Sequence, residues 1–498
     1  MNFFSFLIKK VSSGRIKEID LMRKEPLSIQ QKQLQRLINR SSECDYLRRY
    51  AVASENDFRR VLPVVCYEDF SGEIGRIMRG EGNVVVSEPV QWFSKSSGTT
   101  NDKSKYIPIT PSSLHGCHFR GGRDVIGIFS HNYPASKAFH GKSLTLGGSH
   151  RVVRERSSVI AGDLSAILIQ NTPAWFTIRR LPSKKVALEA DFQRKIELIC
   201  RETVSKNITN FAGVPSWNLL LMEKVLDYTG KSNISEVWKD MSLFVHGGIS
   251  FEPYREQYKK LFPDEQMRYM ETYNASEGFF AIADDPSDSA MLLMLDYGIY
   301  YEFIPMSSLD DHSTIIPLEG VKTGVNYAII ITTSGGLWRY LIGDTVEFTS
   351  VKPYKIRITG RTKQYINAFG EELMVDNAER ALARACKQTG SVVSNYTVAP
   401  VFMAIGERGC HQWLVEFSTL PDSVENFGEV IDKTLQELNS DYEAKRKANT
   451  TLSQPIITIA PEGTFYKWME SRGKIGGQNK VPRLSNDRQT IEKILSTM

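Results

Sequence analysis

Short β-rich runs separated by amphipathic helical segments are the feature that most constrains the fold of this chain. Helical spacing of apolar residues follows Asp191, which is placed to cap a helix, and Pro215, whose helix would stop at Gly230. Strands that alternate with helices predict an α/β architecture, with helices covering mixed β-sheets. The strand-like runs lie at 83–86, 300–304, 327–333, 355–359, 413–417 and 456–459.

The length of 498 residues is too great for one ordinary core and predicts several structural units. The clearest boundary falls near Gly360 to Lys363, where a strand-like run ends and an alanine-rich helix follows at 376–385. We therefore expect a large unit at 1–360, a hinge at 361–363 and a small unit at 364–498.

The N-terminal segment is basic and helical in pattern. Ser28 to Gln31 is typical of a capping box, and Leu34, Leu37 and Ile38 follow at helical spacing. Residues 1–50 contain eleven Lys/Arg against five Asp/Glu. This favours a solvated helical face over a nucleic-acid surface, because the whole chain carries a net charge of only +5.

The cysteines and the hydropathy indicate the compartment. Six cysteines lie far apart without a C-x-x-C pair, which argues against a zinc site or a disulfide framework and favours a reducing cytoplasm. No run approaches transmembrane length, and the opening residues lack the order of a secretory signal. His115 and His118 have no nearby acidic partner in the sequence, so a metal site there is disfavoured.

The segment from Ser96 to Lys105 has the composition of a phosphate-binding loop. Gly98 lets backbone amides approach a polyphosphate, and Lys103 and Lys105 can offset its charge. The segment lacks the G-x-x-x-x-G-K-[ST] pattern, which disfavours a standard kinase. A flexible turn is the alternative, because Ser/Thr/Gly-rich runs are common in turns. The hydroxyls come from Ser96, Ser97, Thr99 and Thr100.

Two further segments carry groups suited to a nucleotide. Tyr273 to Glu277 places an aromatic ring, a hydroxyl and a carboxylate within five residues, and the carboxylate is a ligand that suits Mg²⁺. Asp344, beside a glycine, can accept hydrogen bonds from ribose, although a turn aspartate is the alternative. A glycine-rich basic segment at 473–480, which ends in Lys480, has the composition of a surface loop.

Taken in order, these motifs resemble the adenylate-forming superfamily of acyl and aryl synthetases and luciferases. Within it, the chain resembles the Gretchen Hagen family of auxin-responsive acyl-acid amido synthetases, in its microbial branch. The resemblance implies a large adenylation domain and a small mobile α+β C-terminal domain. The resembling segments span almost the whole chain: 63–69, 96–108, 213–217, 246–248, 273–279, 336–344, 360–372 and 473–487.

The resemblance also implies roles for individual residues. It places the ATP phosphate loop at Ser96, Ser97, Gly98, Thr99 and Thr100, closed by Lys105. It places adenine contacts at Tyr273, Gly247 and Gly248, the α-phosphate contact at Ser276, the Mg²⁺ ligand at Glu277 and the ribose contact at Asp344. Arg361 and Lys363 match hinge residues, and Lys480 matches a mobile catalytic lysine. Asp102 departs from the usual glycine of the family.

The activity implied by the resemblance uses ATP and Mg²⁺. A small carboxylic acid is activated as acyl-AMP with release of pyrophosphate, and the acyl group then passes to an amine, expected to be an amino acid, with release of AMP. An acyl-coenzyme A ligase and a nucleotide-binding relative without turnover are the alternatives. The protein is expected to act as a cytoplasmic monomer, without a nucleic-acid or membrane partner. Neither the acid nor the amine is identified by the sequence.

Overall fold

A computed structural model describes every residue except 1–2, 97–104, 148–152, 157–158, 190, 363, 405, 448–450 and 472–480. The helices within the described residues are α1 Phe3–Lys24, α2 Pro26–Ser41, α3 Asp45–Arg49, α4 Glu55–Val61, α5 Tyr67–Met78, α6 Pro111–Ser113, α7 Phe119–Asn132, α8 Leu164–Gln170, α9 Ala174–Thr177, α10 Lys184–Ala187, α11 Phe192–Thr203, α12 Pro215–Thr229, α13 Arg255–Leu261, α14 Val375–Thr389, α15 Val424–Leu438, α16 Ser440–Arg446, α17 Thr464–Ser471 and α18 Gln489–Leu495. A π-helix, Leu114–His118, joins α6 to α7.

The strands in the same part of the chain are β1 Trp92–Ser96, β2 Lys105–Ile109, β3 Lys142–Thr145, β4 Val153–Arg156, β5 Val159–Gly162, β6 Arg180–Leu181, β7 Ile208–Gly213, β8 Leu243–His246, β9 Arg268–Ala275, β10 Gly278–Ile282, β11 Met291–Leu293, β12 Ile299–Pro305, β13 Ile316–Pro317, β14 Asn326–Thr333, β15 Tyr340–Val351, β16 Tyr354–Arg361, β17 Tyr365–Ile366, β18 Leu373–Met374, β19 Val392–Val401, β20 Cys410–Thr419 and β21 Ile456–Ala460. The α/β architecture predicted from the sequence is confirmed.

The main sheet combines an antiparallel half with a parallel half. Its order in the described chain is β13-β12-β14-β15-β16-β11-β10-β9-β8-β7-β3-β6. Strands β9, β8, β7, β3 and β6 pair in parallel. The carboxyl ends of parallel strands open at one edge of a sheet, and α/β proteins bind ligands in the crevice outside that edge.

A second sheet, in the order β2-β1-β5-β4, carries the predicted phosphate loop. Strands β1 and β2 form an antiparallel pair in which Ser96 lies opposite Lys105. The chain between them, residues 97–104, lies outside the described residues, but both of its ends are fixed by this pairing.

The small unit packs against the parallel half of the main sheet. Strands β19, β20 and β21 form its sheet, and its buried side chains share one apolar cluster with those of α12 and α13. The Tyr254 hydroxyl donates to the Ala368 carbonyl at 2.7 Å. Strand β16 ends at Arg361, and Lys363 lies outside the described residues, so the division at 361–363 stays a prediction.

Two local predictions are wrong. Helix α2 begins at Pro26 with Glu25 as its N-cap, so Ser28 lies inside the first turn rather than capping it. The run 83–86 is not a strand, because the Asn83 and Val84 carbonyls accept hydrogen bonds from the backbone amides of Asp45 and Tyr46 at the start of α3. The predicted core face of α2 is confirmed, because Leu34, Leu37 and Ile38 are all buried.

Ion pairs hold helix α1 to the body of the protein. The Arg15 guanidinium contacts Asp124 at 2.8 Å and Asp296 at 2.5 Å. Arg23 contacts Asp284 at 2.6 Å. Part of the positive charge of the N-terminal segment is therefore neutralised within the fold. None of the six cysteines forms a disulfide bond, and none of the helices in the described ranges is long and apolar enough to span a membrane.

Candidate active site

A cleft of about 2040 Å³ lies at the carboxyl edge of the parallel strands. The last residues of β3, β7, β8 and β9 all line it, and these are Thr145, Gly213, His246 and Ala275. Residues beyond the predicted hinge line it as well, among them Asn367, Gly370 and Lys445. This is the position at which the topology predicts a ligand.

The tip of the β9–β10 hairpin projects into this cleft. Ser276 and Glu277 form its two-residue turn, with Ala275 paired to Gly278. The hydroxyl of Ser94, a fully buried residue on β1, donates to the Ser276 hydroxyl at 2.8 Å. This hydrogen bond joins the hairpin tip to the strand that leads into the predicted phosphate loop. Ser94 gave no signal in the sequence.

The predicted phosphate loop is described only at its ends. Ser96 ends β1 and Lys105 begins β2. The ammonium of Lys105 lies 5.8 Å from the centre of the Tyr67 ring. The predicted loop residues Ser97, Gly98, Thr99 and Thr100 lie outside the described residues. Lys480 lies outside them as well.

Glu277 is a half-buried carboxylate in the cleft. Burial raises its pKa, and the charge of Lys105 opposes that rise. Among the described residues no group of three or more histidines, cysteines and carboxylates is placed to hold a metal ion. A single carboxylate fits Mg²⁺ that is otherwise bound by substrate phosphates and water, because Mg²⁺ is usually held by one or two carboxylates together with phosphates.

A chain of hydrogen bonds connects the hairpin strand to the small unit through Asp344. The Tyr273 hydroxyl donates to Asp344 Oδ2 at 2.6 Å, and Arg361 Nε donates to Asp344 Oδ1 at 2.9 Å. The Arg361 guanidinium also contacts Glu372 at 3.3 Å and lies 5.1 Å from the centre of the Tyr365 ring. Each oxygen of Asp344 keeps acceptor capacity, because a carboxylate can accept about four hydrogen bonds.

Tyr273 is more enclosed than its predicted role beside adenine required. The residue is 5% exposed, and the centre of its ring lies 4.7 Å from the centre of the Phe280 ring. Burial raises the pKa of its hydroxyl well above the ordinary value. Its hydroxyl therefore stays protonated and donates to Asp344. Its contact with adenine stays a prediction.

Two glycines after β8 are required by the backbone. A Cβ at Gly247 would lie 2.3 Å from the Thr272 carbonyl oxygen, and Gly248 has a φ of +85°. Both positions exclude an ordinary side chain without strain. The amide of Asn367, from the small unit, donates to the Gly248 carbonyl at 3.2 Å. Sequence reasoning included Asn367 only within a resembling segment.

Two buried histidines near the site are neutral. Burial lowers the pKa of His246 to about 3, and its ring stacks on Phe251 at 4.4 Å. Burial also lowers the pKa of His118 to about 4, and its Nδ1 contacts Asn274 Oδ1 at 3.1 Å. His118 is thus tied to the segment that carries Tyr273.

The fold is similar to the folds of two solved ligases. It superposes on the acyl acid amido synthetase AtGH3.15 in complex with 2,4-DB with a TM-score of 0.63, at 17% identity, over 98% of this chain and 96% of that chain. The 2-hydroxyisobutyryl-CoA ligase in complex with 2-HIB-AMP and CoA gives a TM-score of 0.56, at 15% identity, over 94% and 91% of the two chains.

Family models identify the particular family. The GH3 family N-terminal domain matches residues 15–267, the central domain matches residues 292–361, and the C-terminal domain matches residues 376–489. The chain belongs to the GH3 family, as its motifs predicted.

Curated relatives agree with this assignment. The indole-3-acetic acid-amido synthetase GH3.4 of Arabidopsis thaliana is 24% identical over 94% of this chain and 91% of its own length. The jasmonoyl-L-amino acid synthetase JAR4 of Nicotiana attenuata is 23% identical over 67% of this chain and 68% of its own length.

Proposed function

We propose that the protein is an ATP-dependent acyl-acid amido synthetase. In the first step a carboxylate oxygen of a small acid bonds to the α-phosphorus of ATP, and pyrophosphate leaves. In the second step the nitrogen of an amino acid bonds to the activated carbonyl carbon, AMP leaves, and the amine proton passes to solvent. The observation that supports this most strongly is the match, in order, to all three GH3 domains from residue 15 to residue 489.

The geometry of the cleft supports an adenylation site. The hairpin tip with Ser276 and Glu277 and the carboxylate of Asp344 line one cleft, beside Gly247 and Gly248. In the proposed roles, Ser276 contacts the α-phosphate and Asp344 accepts hydrogen bonds from ribose. The phosphate loop from Ser96 to Thr100, closed by Lys105, holds the β- and γ-phosphates.

Charge repulsion explains the need for cations in the first step. A carboxylate and a phosphate oxygen about 4 Å apart repel by roughly 4 kcal/mol at an effective dielectric constant of about 20. In the proposed mechanism the ammonium of Lys480 offsets this repulsion, because lysine is a compact charge on a long flexible stem. Glu277 would hold Mg²⁺, and that ion, when bound, supplies charge neutralisation on the phosphates.

A change of orientation between the units would separate the two steps. We propose that rotation about residues 361–363, including Arg361 and Lys363, brings Lys480 to the cleft for adenylation and withdraws it for amide formation. The ion pairs of Arg361 with carboxylates on both sides of this segment support its assignment to the junction.

An acyl-coenzyme A ligase is the second candidate, and its fold likeness is the observation that favours it. A screen for pyrophosphate release across aryl, indolyl and aliphatic acids tests the first step. The best acid is then incubated with mixed amino acids or with coenzyme A, and the product mass is measured. An acyl-amino acid supports the proposal, a thioester supports the ligase, and no acid-dependent pyrophosphate contradicts both.

The cellular setting is part of the same proposal. We propose that the protein acts in a reducing cytoplasm as a monomer, and six cysteines that form no disulfide bond support that compartment.

A further inference from the structure

Lys445 is a buried cation that faces the cleft without a counterion. It lies on α16 of the small unit, is 8% exposed, and lines the cleft. Its ammonium lies 4.6 Å from the centre of the Trp217 ring on α12. No carboxylate among the described residues lies within 4.0 Å of this ammonium. A buried ammonium without an anion is costly, and the face of a tryptophan offsets only part of that cost.

Asp163 is the complementary group on the large unit. It follows β5, lines the same cleft, and its side chain does not cap α8. No cation in the described ranges lies within 4.0 Å of its carboxylate. Burial and the nearby Asp441 raise the pKa of Asp163 to about 6, whereas Lys445, Lys195 and Lys95 oppose the rise. Lys445 and Asp163 therefore interact through space without forming an ion pair.

The small unit ties this pair to the predicted nucleotide site. The loop from Asn367 to Gly370 touches both places: Asn367 donates to the Gly248 carbonyl, and Gly370 lies beside the end of the Lys445 side chain. Gly370 has a φ of +87°, and a Cβ there would come within 3.4 Å of Lys445 Cε. The chain from Asn367 to Gly370 spans at most about 11 Å, so one short loop carries both the contact with Gly248 and the contact with Lys445.

We propose that Lys445 and Asp163 form the subsite for the second substrate, an α-amino acid whose carboxylate binds Lys445 beside Trp217 and whose amino end lies at Asp163. This inference rests on the proposed amido synthetase function. A free α-amino acid carries a carboxylate and an ammonium group on the same carbon, so one ligand can offer an opposite charge to both Lys445 and Asp163. The carboxylate of the ligand supplies the counterion that Lys445 lacks, which favours amino acids over plain amines.

The test compares L-alanine with L-alaninamide as acceptors, with L-leucine and L-leucinamide as a larger pair. Lys445→Met keeps an unbranched side chain beside Trp217 and removes the charge that lies over its ring. We expect it to raise the KM for L-alanine by about 10- to 100-fold, the value of one charge-assisted hydrogen bond, and to leave the KM for L-alaninamide nearly unchanged. Asp163→Asn should raise the KM for both acceptors, because both carry the amino group.

Lys447→Met is the matched control, because Lys447 is exposed at the end of the same helix and loses the same charge. It should leave both KM values as in the unmodified protein. Acid-dependent pyrophosphate release without an acceptor should be unaffected by Lys445→Met. Failure of that release in the unmodified protein contradicts the proposed function rather than the subsite.

Three results would overturn the subsite. Equal losses for L-alanine and L-alaninamide in Lys445→Met would mean that the lysine does not bind the carboxylate. A raised KM for ATP with an unchanged preference between acceptors would assign Lys445 to the phosphates. If Lys445→Met does not fold, the unmodified protein decides, because equal KM values for L-alanine and L-alaninamide, corrected for the fraction of free amine, contradict the proposal.

Discussion

Removal of the Asp344 carboxylate tests the predicted ribose contact. In Asp344→Ala, the bound nucleotide loses hydrogen bonds to a charged acceptor. One such bond is worth about 1.5–3 kcal/mol, which corresponds to a rise of about 10- to 150-fold in the KM for ATP. The assay is acid-dependent pyrophosphate release at saturating acid, with ATP varied.

The same variant also has a structural cost. The Tyr273 hydroxyl, which donates to Asp344 at 2.6 Å, loses its acceptor in a residue that is 5% exposed. An unsatisfied buried donor costs about 1–3 kcal/mol of folding free energy. Arg361 adds little to this cost, because it keeps its contact with Glu372 at 3.3 Å. We therefore expect a lower melting temperature together with the raised KM.

Tyr273→Phe separates the two effects. It removes the hydroxyl that Asp344→Ala would leave unsatisfied, so the double variant should lose less stability than the two single variants together. The rise in the KM for ATP should persist in the double variant. A KM for ATP within about twofold of the original, or about 0.4 kcal/mol, in Asp344→Ala would refute a ribose contact and leave Asp344 a purely structural role.

Three further predictions follow from other parts of the site and core. Burial raises the pKa of Glu277, so its carboxylate protonates at a higher pH than that of an ordinary glutamate, and the rate of adenylation should fall as the pH drops through that raised pKa. In Glu277→Gln this loss of rate at low pH should disappear, and the Mg²⁺ concentration required should rise. An unchanged pH profile in the variant would contradict the assignment. Lys480→Ala should slow adenylation by about 10²-fold or more but spare transfer from synthetic acyl-adenylate to an amine, and equal losses in the two steps would exclude a step-specific lysine. Glu302→Gln removes the charge opposite the buried Arg339, which it contacts at 2.9 Å, and should lower stability by about 3 kcal/mol in denaturation, whereas Glu256→Gln, at an exposed pair, should change stability little.

Local signals in the sequence predicted much of the fold. Asp191 caps α11 and accepts from the Arg194 amide, and α12 runs from Pro215 to a left-handed Gly230, as their positions in the sequence indicated. These features depend on neighbours in the chain, so pattern alone finds them. The strand predicted at 83–86 is wrong because the Asn83 and Val84 carbonyls accept hydrogen bonds from the first amides of α3, a contact across the fold that an apolar pattern does not encode.

The candidate site shows the same limit more sharply. Motifs singled out Tyr273 and Asp344 separately, but the hydrogen bond between them joins β9 to β15, which the order of the sheet separates by three strands. Ser94 and Lys445 gave no signal, because a serine in a strand and a lysine in a helix are common. The N-terminal excess of positive charge predicts a solvated face, whereas Arg15 forms ion pairs with two carboxylates of the body.

The position of Arg361 has a consequence for how the protein responds to nucleotide. Its guanidinium holds Asp344 on one side of the predicted hinge and Glu372 on the other. A ligand that forms hydrogen bonds with Asp344 changes the strength of the ion pair between Asp344 and Arg361, and so changes how firmly the small unit is held to the rest of the protein. Such coupling is reciprocal, so a change that fixes the small unit in one orientation must alter nucleotide affinity by the same factor.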